Sequence, residues 1–105
     1  MKQERLQNQL ITRELKARFN EIGRQNSEDS IIIAKFFNPC GAATWYLTEY
    51  AEGNNTGFGY VTGFDVDEWG SVSITELEAL RCPPLGLPIE RDLYFDECPF
   101  SKLKL

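Results

Sequence analysis

From Thr12 onward the apolar residues Leu15, Phe19 and Ile22 recur at spacings of four and three, which places them on one stripe of an amphipathic helix. Thr12 is a suitable N-cap, Glu14 lies where a negative charge suits the helix dipole, and Gly23 ends the element. Leu6 and Leu10 extend the stripe backwards, so residues 3–11 read either as an extra helical turn or two or as part of a frayed arm over residues 1–11. The segment RQNSEDS, residues 24–30, then has turn composition.

The period changes to that of strands. SIIIAKFF (30–37) is β-branched and aromatic, and ATWYLTEY (43–50) alternates, with Trp45 and Leu47 on one face and Tyr46, Thr48 and Tyr50 on the other. AEGNNTG is a hairpin loop, FGYVTGF (58–64) a third strand, and SVSI (71–74) a short fourth strand after the turn DVDEWG. In the third strand Gly57, Gly59 and Gly63 leave one face nearly bare, so a helix or another backbone can approach closely. ITELEALR returns to a helical pattern, with Leu77 and Leu80 on one face and Ser73 or Thr75 as cap, and Pro83 and Pro84 stop it. RDLYF (91–95) reads as an edge strand and residues 101–105 as a loose tail. The order predicts one α+β domain over residues 1–105. It has a mainly antiparallel sheet of four to five strands, an N-terminal helix, and a short helix before the last strand.

Composition narrows the function classes. With 42% hydrophobic residues among 105, including two Trp, four Tyr and seven Phe, the chain is expected to fold rather than remain disordered. Neither a signal peptide nor a run of roughly 20 apolar residues for a membrane span is evident, so a cytoplasmic location is expected, with no membrane partner. Cys40, Cys82 and Cys98 are widely spaced and odd in number, which favours reduced thiols. The chain contains no histidine, which removes the usual general base near neutral pH and the commonest zinc ligand. An enzyme built on it would have to run on carboxylates, Lys, Tyr or Cys.

Charge is distributed unevenly. Residues 1–26 carry a net +3 and residues 27–105 a net −8. On the first helix Arg13, Lys16, Asn20 and Arg24 share a face. From Phe36 to Leu80 there are seven acids and no Lys or Arg. The rings Tyr46, Tyr50, Phe58, Tyr60 and Phe64 could offer a stacking platform to single-stranded nucleic acid, but such a surface repels phosphates. Most of these rings are therefore expected in the core, and direct nucleic-acid binding is disfavoured.

Two local motifs invite a chemical reading. Asp65, Asp67, Gly70, Val72, Ser73 and Glu76 match positions of a calcium-binding EF-hand loop, but Trp69 supplies no side-chain oxygen and a strand precedes the motif instead of a helix. An acidic hairpin loop in front of a capped helix is the simpler reading, and no metal or cofactor is expected. Cys40, in the turn NPCG, has no neighbour in sequence that would make it a thiolate. In PLGLPIERDLYF (84–95) the prolines and Gly86 form a rigid corner, with Pro88 able to open a helical turn holding Glu90 and Arg91. Exposed charges on a rigid loop can present a binding site, which makes Glu90, Arg91 and Asp92 candidates.

The blocks IIIAKFFNPCGAATWYLTEY, GFGYVTGF, VSITELEALR and LGLPIERDLYF, in that order, resemble the bacterial family catalogued as Domain of Unknown Function 2958 across about residues 11–103. The resemblance brings no catalytic residues. It implies a setting on plasmids and conjugative elements, sometimes joined to larger DNA-processing proteins, and hence an accessory role. The expectation is a non-catalytic protein-interaction module that meets a basic partner through Asp65, Asp67, Glu68, Glu90, Arg91 and Asp92. Two alternatives stand beside it. One is a metal-assisted hydrolase using Asp65, Asp67 and Glu90 or Asp92; the other is a weak nucleic-acid accessory factor using the basic helix.

Overall fold

The computed structural model of the protein describes residues 9–25 and 28–105. In chain order these form helix α1 (Arg13–Ile22), strands β1 (Ile31–Ile32), β2 (Ala34–Phe37), β3 (Thr44–Ala51), β4 (Thr56–Thr62) and β5 (Glu68–Ser73), helix α2 (Ile74–Ala79), and strands β6 (Glu90–Arg91) and β7 (Cys98–Pro99). β2 to β6 make a five-stranded antiparallel sheet in the order β5-β4-β3-β2-β6, while β1 and β7 pair in a separate ribbon. This is the α+β arrangement that the sequence predicts.

The Thr12 hydroxyl accepts from the Leu15 amide at 3.2 Å, and Gly23, at φ 71°, returns its N–H to the Phe19 carbonyl. Between these caps Leu15 and Phe19 are buried, as their spacing requires. Leu10 and Ile11 are also buried but not helical, and the Leu10 amide donates to the Glu78 carboxylate at 2.9 Å. At these two positions the chain is therefore neither a further helical turn nor a frayed arm. The first part of that expected arm, residues 1–8, lies outside the described residues.

Strand β3 departs from strict alternation. Leu47 stands opposite Gly59 and Glu49 opposite Phe58, so Thr48 is an extra, bulged residue. The slip turns Tyr50 to the same face as Trp45 and Leu47, where its ring packs 5.9 Å from that of Phe19, and so corrects the expected pairing of Tyr50 with Tyr46. The predicted strand 30–37 is likewise divided: β1 ends at Ile32, and Ile33 gives its N–H to the Leu47 carbonyl before β2 begins.

The bare face of β4 works as expected. Leu47 and Ile74 fill the space beside Gly57, and a Cβ on Gly59 would fall 2.0 Å from the Tyr46 carbonyl oxygen. Ser73 caps α2 through the Glu76 amide, and Ile74 and Leu77 are its buried stripe. Leu80, expected beside Leu77, is 45% exposed because the helix ends at Ala79.

The sheet face away from α1 and α2 is covered by the end of the chain. Phe95 packs on Tyr46, and Phe100 on Tyr60 and Trp69, with the last two ring pairs 4.9 Å apart. Beyond β7, Phe100 donates to the Ser30 carbonyl and Ser101 to Asp29, so the expected loose tail is tied at its first residue. These hydrogen bonds hold the Asp29 carboxyl below the usual aspartate range. At the corner, Cys82 and Leu87 form an isolated bridge, and Gly86 at φ 72° permits the reversal between them. Glu90 and Arg91 are in strand β6, not in a helical turn, because the backbone there pairs with Phe37 and Phe36.

Candidate interaction surface

Three acids of the expected site, Asp65, Asp67 and Glu68, lie at the β4–β5 hairpin. Strand β5 starts earlier than the sequence suggests, with Glu68 opposite Val61 and Trp69 opposite Tyr60, so the connecting loop shrinks to residues 63–67. Gly63, at φ 92°, makes the reversal; a Cβ there would meet the Ala42 carbonyl oxygen at 2.2 Å. Asp65, Asp67 and Glu68 are all exposed. Between them Phe64 and Val66 keep 60% and 63% of their surface open, although Phe64 meets Trp45 edge-on. Gly63, Phe64, Asp65, Val66 and Glu68 border an open hollow of about 550 Å³. Apolar Phe64 and Val66 thus alternate with Asp65 and Asp67 along one exposed loop, and Glu68 opens the strand that follows.

Glu90, Arg91 and Asp92 lie elsewhere. Asp92 is 3.5 Å from the Lys35 ammonium and accepts the Tyr94 amide at 2.9 Å, while Arg91 reaches the Thr12 hydroxyl at 3.5 Å. Glu90 is exposed. The triplet mainly ties the sheet edge to its neighbours. One register row crosses the whole sheet, from Arg91 through Phe36, Trp45 and Val61 to Glu68. At the usual inter-strand spacing, its ends are about 19 Å apart. The two groups of candidate residues therefore occupy opposite edges, and the fold does not bring Asp65 or Asp67 together with Glu90 or Asp92.

The calcium-like pattern is also spread out. Gly70, Val72 and Ser73 run along β5 and Glu76 lies in α2, so the oxygens from Asp67 to Ser73 extend over about 20 Å instead of closing round an ion. Among the described residues no three His, Cys, Asp or Glu side chains are grouped to hold a metal. Cys40, Cys82 and Cys98 are free thiols, with Cys82 buried.

The basic stripe of α1 is partly engaged. Lys16 pairs with Glu52 at 3.2 Å and Arg13 is exposed; Arg24, expected on the same helix face, is exposed but lies beyond the Gly23 cap, because the helix ends at Ile22. Arg18, outside the stripe, forks onto Glu97 and also reaches Glu21; these bonds hold its proton more firmly than usual. Arg24 borders a groove of about 480 Å³ with Phe19, Glu49, Tyr50 and Phe58. Burial raises the Tyr50 phenol above its ordinary value.

In the sequence Trp69 stood out only as a missing calcium ligand, not as a surface residue. It stacks on Phe58 with ring centroids 6.0 Å apart and planes 16° from parallel, and touches Tyr60 and Phe100, yet remains 39% exposed. The signal was present in the alternation of EWGSVS, once that segment is read as a strand.

Residues 6–102 match the family model described as Protein of unknown function (DUF2958). The chain belongs to this family. The match spans the elements from α1 to the turn after β7 and agrees with the resemblance carried by the four sequence blocks. No curated protein and no solved structure matches the chain. Among the described residues no helix is long and apolar enough to cross a membrane.

Proposed function

We propose that this protein is a small non-catalytic interaction module whose β4–β5 loop docks a partner protein with a basic surface. The observation that carries the reading is the alternation of exposed Phe64 and Val66 with Asp65, Asp67 and Glu68. Apolar side chains held open on a loop favour a protein contact, and the acids around them select positive charge and steer its approach. The absence of Lys and Arg from Phe36 to Leu80 extends the same field over the neighbouring sheet and disfavours nucleic-acid phosphates there. A cytoplasmic setting, expected from the apolar pattern of the sequence, and service to proteins that process mobile DNA, implied by the family resemblance, belong to the same proposal. A carboxylate enzyme needs acids that converge on one pocket, and the separation of Glu68 from the Glu90–Asp92 edge gives that alternative no support.

The test is capture of partners from the native host with mass spectrometry, comparing the native chain with Val66→Ser. Val66 is exposed, so the variant should fold normally while losing the captured partner. Undiminished capture by the variant would remove the loop from the contact.

A further inference from the structure

Strand β5 is hydrogen-bonded on one side only, to β4, and its other edge is open among the described residues. The two edges of the sheet differ. At the far edge β6 is two residues long and stops in the turn after Asp92, which leaves little to pair with. β5 runs for six residues, Glu68 to Ser73, without Pro, Lys, Arg or a bulge, and its one charge, Glu68, stands at its first position, so the edge from Trp69 to Ser73 lacks the usual protections against pairing.

We propose that this open edge receives an extended basic segment of the partner protein as an added strand. The inference rests on the interaction reading above and supplies its binding mode: main-chain hydrogen bonds provide the grip and alternate side chains provide the choice. One face of β5 presents Trp69 and Ser71, and the other presents Glu68, Gly70 and Val72. A Lys or Arg entering on the first side meets the part-exposed Phe58–Trp69 pair, where a cation over an aromatic face is attracted. On the other side it meets Glu68, with open space at Gly70, where a Cβ would have no neighbour within 4 Å. Asp65 and Asp67 stand at one end of the strand and Glu76 beyond the other. Charge also selects a basic segment over a second copy, whose corresponding edge would bring the same acidic field.

The experiment uses the full chain, labelled for amide exchange by nuclear magnetic resonance. The probe is a short peptide of alternating Lys and Val. Controls are the same peptide N-methylated at alternate residues and a peptide of alternating Glu and Val. The Lys-Val peptide should slow exchange at alternate β5 amides on the order of tenfold, with the effect lost in high salt. Both controls should leave the strand unchanged. Equal binding by the N-methylated peptide, no binding, or shifts confined to residues 63–67 would overturn the added strand. Protection of β5 that grows with protein concentration alone would instead identify a second copy as its occupant. If partner capture still depends on Val66 while β5 never becomes protected, the docking loop stands and the added strand alone fails.

Discussion

The side-chain amide of Gln25 donates to the Thr48 carbonyl at 3.0 Å, joining the segment after α1 to the bulge of β3. The same amide donates to and accepts from the backbone of Ile31, and the Gln25 N–H is taken by Glu49. One residue thus holds the register slip that turns Tyr50 towards Phe19.

Gln25→Ala should therefore destabilise the protein by about 2 kcal/mol, since it leaves half-buried backbone groups without partners. Chemical denaturation would measure the loss, and faster amide exchange should centre on Ile31. A change below about 0.5 kcal/mol would mean that the bulge holds itself.

The bare face of β4 gives a sharper contrast. Gly59→Ala drives a methyl into the Tyr46 carbonyl and should cost about 3 kcal/mol or more, whereas Gly70→Ala meets empty space and should lie within about 0.5 kcal/mol of the native chain. Thermal unfolding of the two variants side by side decides it.

These examples also mark what the sequence could say. Thr12, Gly23 and Ser73 were legible as caps because a cap depends on neighbours along the chain. The Thr48 bulge was not, because it depends on Gln25 and on register with Gly59, partners distant in sequence. The same holds for Glu68, expected in a turn, and for Glu90, expected in a helical turn: pairing to β4 or β2 makes each a strand residue, and the edge strand expected over 91–95 is cut to Glu90–Arg91. At the candidate site the acids were legible from charge alone. The exposure of Phe64 and Val66 was not, because it follows from where the hairpin closes, and nothing local indicated that the two groups of charged residues would lie on opposite edges.

The bond between Asp29 and Ser101 carries a pH signature. Hydrogen bonding to the charged carboxylate lowers its pKa, so the folded state binds this proton less readily than the unfolded chain. The stabilisation is complete well above the ordinary aspartate value of 3.8, and is lost as pH falls through the lower folded value. The Ser101 amide shift should follow that acid titration, with a midpoint below 3.8. A midpoint above it would show that the carboxylate is not held by this bond.

The Leu10 amide has the Glu78 carboxylate as its acceptor, a bond between segments distant in sequence. Glu78→Ala should cost about 1–2 kcal/mol, and Glu78→Gln, which keeps an acceptor oxygen, clearly less. Equal losses in urea unfolding would point to charge instead of the hydrogen bond.

The partner should meet the acidic β4–β5 hairpin and not the basic face of α1. The direct measurement is partner affinity, by titration calorimetry at low and high salt, for two variants: Asp65→Asn/Asp67→Asn/Glu68→Gln at the β4–β5 hairpin and Arg13→Gln/Lys16→Gln/Arg24→Gln on α1 and just beyond its Gly23 cap. The hairpin variant should remain folded and bind at least about tenfold more weakly, with a flatter salt dependence, while the helix variant binds nearly as the native chain does. Unchanged binding by the hairpin variant, together with loss of a salt-sensitive DNA gel shift in the helix variant, would contradict the account and make the basic face of α1 the working surface.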